Sequence, residues 1–285
     1  MKSGNRILTS FQKFGKVLMA PVLLLPIAGI LVGIGSAFSN PNLIKTIPLL
    51  GNPFLTVLFK LTKELGNVIN NNIPIIFAMS IAYGFAKKEK ATAAISGFIA
   101  YMGMNTILGS FLILNGTINP GKLLTGQKMI LGITTLDTGV FGGILIGLIV
   151  SALHNKYYKI ELPAVLSIFN GTRFVPAISL IVSGFVGIVL AFIFPPVQAF
   201  LNSAADFIAK TGAFGSFVYG LAERLLLPFG LHHFIYLPFF FTPLGGVKDI
   251  GGQVYEGAVN IQNAILNTPN AMYDIDVSKY LMNGK

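Results

Sequence analysis

The sequence predicts an all-α protein that crosses a lipid bilayer several times. Three observations carry that reading. Of 285 residues, 53% are hydrophobic and only 11% charged, where a soluble domain has about 25% charge. A soluble chain of this length needs a polar skin that so few charges cannot supply. Apolar runs with no charge recur along the chain, several of them near the ~20 residues that cross a ~30 Å hydrocarbon core as a helix. The basic residues, 20 Lys+Arg against 10 Asp+Glu, fall mostly in short segments between those runs. That pattern fits membrane topology and anionic lipid, not nucleic acid. No basic stripe interleaved with aromatics is present, so no nucleic-acid partner is expected.

The elements follow in order. Residues 1–16 carry Lys2, Arg6, Lys13 and Lys16 and no acid, with Leu8, Phe11, Phe14 and Leu18 at helical spacing. This reads as a cytoplasmic amphipathic lead-in. Residues 17–38 are uncharged and read as a retained span, with Pro21 and Pro26 inside it. Residues 40–72 mix Pro41, Pro48 and Pro53 with Lys45, Lys60, Lys63 and Glu64, which predicts two short amphipathic helices. A short apolar run, 73–86, ends at Lys87-Lys88-Glu89-Lys90, and 91–114 is a clear span. Residues 115–136 form a polar connection. Residues 138–153 are apolar and glycine-rich, and Gly143 and Gly147, four apart, share a helix face that lets backbones approach closely. A polar segment, 154–173, leads to the long run 174–200, interrupted late by Pro195-Pro196.

With the N-terminus inside, the inner segments 1–16, 87–90 and 154–173 hold ten Lys/Arg and the outer segments 40–72 and 115–136 hold five. The positive-inside rule therefore favours a cytoplasmic N-terminus. The domain organisation that follows is a lead-in over 1–16, a five-span N-terminal half over 17–200, and the start of a second half with broken helices over 201–285.

Residues 219–246, YGLAERLLLPFGLHHFIYLPFFFTPLGG, are strongly apolar yet hold Glu223, Arg224, His232 and His233. A charge at the bilayer centre costs roughly 2.5–3.5 kcal/mol on the insertion scale. Pro228, Gly230, Pro238 and Pro243 break any continuous helix. Broken helices at membrane depth line cavities or lie within protein. Arginine offers forked donors, a carboxylate accepts from vicinal hydroxyls, and neutral histidine does both, so a hydroxylated solute suits the set. Phe229, Phe234, Tyr236, Phe239, Phe240 and Phe241 offer apolar faces for a sugar ring. Plainer readings stay open: Glu223 and Arg224 as ties at a membrane edge, His233 as a structural histidine, the aromatic run as lipid-facing or core packing. Adjacent histidines are weak grounds for a metal site, and no metal or cofactor is expected. With no cysteine in the sequence, thiolate chemistry and disulfides are excluded. No serine–histidine–acid order or phosphate-cradling loop is found, so no catalytic residue is assigned.

Residues 220–233, GLAERLLLPFGLHH, resemble the signature of the membrane component (enzyme IIC) of bacterial sugar phosphotransferase systems, in the glucose, maltose and N-acetylglucosamine superfamily. Residues 14–35 resemble that family's first span, and residues 132–176 its fourth span, the next inner loop and the approach to the fifth. The continuation YLPFFFTPLGG resembles maltose and α-glucoside members more than glucose members. The resemblance implies a multi-pass homodimer in the bacterial plasma membrane, its first five spans forming the dimer contact and a second half carrying a glucose-type sugar or maltose-like α-glucoside. It places Arg224 and His232 in the sugar site, with Glu223 and His233 beside them. It also implies a separate phosphotransferase protein whose phosphocysteine phosphorylates the sugar. Family members continue with further spans after a stretch resembling YLMNGK (280–285), which implies that this chain is C-terminally truncated. A second reading follows from that: a truncated, non-transporting membrane remnant or scaffold that only dimerises.

Overall fold

The computed structural model describes residues 2–267 apart from residues 125, 212, 227–238, 241 and 251. Helix dominates, and five helices are long and apolar enough to cross a membrane: Gln12–Phe38, Pro53–Phe85, Lys90–Leu114, Gly139–Tyr157 and Gly171–Phe200. The all-α polytopic class holds, with two short hairpins added. The chain divides into two compact units, one of residues 72–199 and one of residues 1–71 with 200–285.

The first unit is built on small residues. Helix α4 (Pro53–Phe85) ends in it, followed by α5 (Lys90–Leu114) and, after a hairpin, α6 (Gly139–Tyr157). Gly143 and Gly147 do what their spacing predicts. Gly143 lies on the Pro74 carbonyl, and a Cβ on Gly147 would meet the Ala78 carbonyl at 2.9 Å and the Ile81 Cβ at 2.7 Å. A Cβ on Gly97 of α5 would also meet the Ala78 carbonyl, at 2.9 Å. One turn of α4 is thus touched by glycines from both neighbours, the small-residue packing that membrane helices use where lipid removes the hydrophobic drive. Ala78, Ala82, Ala93, Ala100, Met104, Ile146 and Val150 form the core around it.

At one end of this bundle α6 holds the α4–α5 turn. Asn155 accepts from the Lys87 amide at 2.8 Å and donates to the Phe85 carbonyl at 3.0 Å, satisfying the end of α4. The buried His154 places Nε2 2.8 Å from the Lys88 carbonyl. A carbonyl only accepts, so that nitrogen carries the proton.

The polar connection 115–136 contains a hairpin that sequence periodicity did not show. β1 (Gln127–Ile130) pairs antiparallel with β2 (Ile133–Leu136), and its two-residue turn places Leu131 at φ 49° and Gly132 at φ 82°. Positive φ at both central positions is the type I′ geometry that matches strand twist. Helix α7 (Phe174–Thr211) then runs through Pro195 and Pro196, where the sequence predicted an interruption. Two missing donors deprive single carbonyls of a bond, and the flanking turns carry the helix on.

The second unit begins with α1 (Lys2–Val22) and α2 (Leu25–Phe38). The predicted single span is broken at Leu23-Leu24. Pro26 has no N–H and clashes with the carbonyl four residues back, at Val22, where α1 stops. The short helix α3 (Pro41–Thr46) follows. The expectation of two short helices over 40–72 is corrected for its second part, because α4 begins at Pro53 and continues without a break through Pro74 for 33 residues, about 50 Å. Proline is tolerated at helix position one, and the interior Pro74 is covered by α6. α2 and α4 pack closely: Gly35 would place a Cβ 2.6 Å from the Phe59 carbonyl, Gly66 would place one 2.8 Å from that of Ala28, and the Phe38 and Phe59 rings stack at 4.9 Å. The same unit holds α8 (Ala213–Leu226), a second hairpin of β3 (Val247–Ile250) and β4 (Gln253–Glu256), and α9 (Ala258–Asn267), which packs on α2. Ile250, Ile261 and Ala264 close a small core between that hairpin and α9.

Candidate functional site

Helix α8 positions the first two candidate residues. Its second half, GLAERLL, is rich in good helix formers, and the helix is described as far as Leu226. Glu223 is half-buried and Arg224 exposed, so the two neighbours do splay apart as helical geometry requires. Arg224 in the last turn is favoured by the helix dipole, and a carboxylate there is disfavoured by about 0.3–1 kcal/mol. Local helix stability therefore does not account for Glu223. Arg224 makes no hydrogen bond or ion pair with any described residue.

One turn earlier stands Tyr219, on the face of Glu223 and within its electrostatic reach. Its ring meets that of Phe239 edge-on, with centroids 4.6 Å apart and planes at 70°. This contact returns the chain beyond the histidines to the face of α8 that carries Glu223. Phe239 is itself fixed from the other side. Gly245, in the 3-10 turn Pro243–Gly245, lies on the Phe239 carbonyl, and a Cβ there would stand 2.6 Å from the Ala258 amide. Thr242 and Pro243 are buried beside it. His232 and His233 lie outside the described residues, as do Phe229, Phe234, Tyr236 and Phe241. Among the described residues no group of three or more His, Asp or Glu could hold a metal ion.

Sequence reasoning singled out Glu223, Arg224 and Phe239 and passed over Tyr219 and Gly245. The spacing of Tyr219 and Glu223, four apart on a helix, was the available signal for the first. Nothing local marks Gly245, whose need is set by residues six earlier and thirteen later in the chain. The arrangement offers a forked cation, a carboxylate and an aromatic pair at one helix end, a set able to hold vicinal hydroxyls and an apolar ring face.

Comparison with known proteins decides the family. The model for "Phosphotransferase system, EIIC" matches residues 15–281. The chain belongs to that family. This EIIC chain is also 38% identical over 280 residues to the PTS system maltose-specific EIICB component of Escherichia coli (strain K12), an alignment covering 96% of this chain and 53% of that protein. The chain thus spans about half the length of the curated relative it matches. Family and apolar helices together make it a multi-pass membrane protein of the bacterial plasma membrane.

Proposed function

We propose that this EIIC chain is the sugar-translocating membrane subunit of a phosphoenolpyruvate-dependent phosphotransferase system, and that it carries a maltose-like α-glucoside. The observation that carries the reading is the 38% identity, along nearly the whole chain, to a protein named as maltose-specific. Arg224, Glu223, His232 and His233 are the proposed sugar-binding residues. An Arg224 guanidinium with no partner among the described residues and a carboxylate that helix stability does not explain support the first two. None of the 285 residues is a cysteine, so the phosphocysteine that modifies the sugar is supplied from outside them, by a soluble phosphotransferase partner. A homodimer joined through the first five spans, anionic lipid around the basic inner segments, and a cytoplasmic N-terminus complete the proposal.

The test is binding of maltose and methyl α-glucoside to the purified full-length protein. Saturable binding is expected, and Arg224→Ala is expected to weaken it at least tenfold, about 1.4 kcal/mol. Binding unchanged by Arg224→Ala would remove that residue from the site. The absence of cysteine makes topology testable as well: of single cysteines placed at residues 119 and 158, only the first should react with an impermeant thiol reagent added outside.

A further inference from the structure

Five side-chain oxygens in the unit 72–199 are buried and meet no hydrogen-bond partner among the described residues; besides Ser179 Oγ, four of them cluster, namely the Tyr101 hydroxyl, Asn105 Oδ1, Thr135 Oγ1 and Thr138 Oγ1. Each residue is 2% exposed or less. Groups of this kind are almost always paired in folded proteins, and several together would offset much of a domain's stability. The four are also neighbours. Tyr101, Asn105 and Gly109 stand one turn apart along one face of α5. Gly109 lies on the Thr134 carbonyl, and a Cβ there would sit 3.3 Å from that of Thr135. Thr138, just before α6, lies against Gly142, beside the Met104 side chain of α5. Asn105 is close to the Tyr101 hydroxyl, and Asp137 is within its electrostatic reach, yet neither Asn105 Oδ1 nor that hydroxyl finds a partner at hydrogen-bonding geometry.

The donor inventory selects the ligand. Asn105 donates one of its two amide N–H groups to the Tyr101 carbonyl at 2.9 Å, and its Oδ1, a carbonyl oxygen, only accepts. The three hydroxyls each have a proton to give and lone pairs to fill. A bound cation would take the oxygens and leave three buried hydroxyl protons without acceptors. Water donates twice and accepts twice, and it serves both needs. We propose that the strip between α5, β2 and the start of α6 is a buried hydration site, in which bound water bridges Tyr101, Asn105, Thr135 and Thr138 and fastens the first hairpin to the helices.

The experiment is a water-resolving map of the full-length protein prepared with choline in place of sodium and potassium. Density within hydrogen-bonding distance of at least two of the four oxygens is expected. Absence of density, or density seen only when sodium is present, would overturn the proposal. Heat stability of the same protein gives a second measurement. Thr135→Val and Tyr101→Phe should each lower the midpoint of heat aggregation by a few degrees, the double variant by clearly less than the sum, and Thr135→Ser hardly at all. Strictly additive losses would count against a shared bridge. Sugar binding enters neither measurement.

Discussion

The two hairpins share one backbone plan and are held in different ways. Each has two four-residue strands joined by a two-residue turn, and each closes with a backbone bond of 2.9 Å, from Asp137 to Gly126 in the first and from Gly257 to Gly246 in the second. Each leads directly into a helix. The second secures its turn locally: Asp249 Oδ1 accepts from the Gly252 amide at 2.9 Å, Gly252 takes φ 81°, and glycine precedes it in the sequence. The first puts Leu131 in the left-handed region and has Met129 where the second has Asp249. Its support comes from α5, against which β2 lies closely enough that Gly109 touches the Thr134 carbonyl. A turn can carry the wrong residue when a neighbouring helix holds the strand backbone at close range, and with the right residues a turn is secured from within as well.

Four substitutions break or sharpen that contrast. The largest effect is expected from Gly109→Val, which drives a branched side chain into the Thr134 carbonyl. It should destabilise by about 3 kcal/mol and be seen as a marked fall in the heat-aggregation midpoint. Gly245→Ala should cost about 1–2 kcal/mol and, because it displaces Phe239 from Tyr219, also weaken sugar binding. A loss of stability with unaltered sugar affinity would separate that ring pair from the site. Leu131→Gly relieves a left-handed leucine worth about 1–2 kcal/mol while adding chain entropy of about 0.5–1 kcal/mol. A net gain near 0.5–1 kcal/mol should raise the midpoint, and no gain would mean that the α5 contact already absorbs the strain. The smallest change is expected for Lys128→Ala. The Lys128–Asp137 pair is 3.7 Å apart with side chains 44% and 20% exposed, so its loss should be within about 0.5 kcal/mol and vanish in high salt.

How much of this was legible follows from where each signal is stored. The spans are written in long uncharged runs, and the Gly143/Gly147 face in a spacing of four, so both could be read directly. Pro26 broke the first span, and its effect on Val22 is calculable from proline geometry alone. The continuity of α4 was harder to see. Lys60, Lys63 and Glu64 made its first half look separate, and the packing that covers Pro74 comes from α6, far along the chain. The second hairpin had a readable Gly-Gly at its turn, but VKDI and QVYE on either side do not alternate, and irregular apolar pieces surround them. The first had no such mark, because its turn is held from α5. Within the candidate site, Glu223 and Arg224 stood out as charges in an apolar stretch. The Tyr219–Phe239 contact depends on a chain reversal that no periodicity encodes.

The interruption at Leu23-Leu24 has a mechanical consequence for the first span. Gln12–Phe38 would measure about 40 Å if straight, against a hydrocarbon core of about 30 Å. An unbroken helix meets such hydrophobic mismatch by tilting as a whole. A helix jointed near its middle has a second option, folding at the joint, so its second half can keep its packing on α4 while the first half follows a bilayer that thins or thickens.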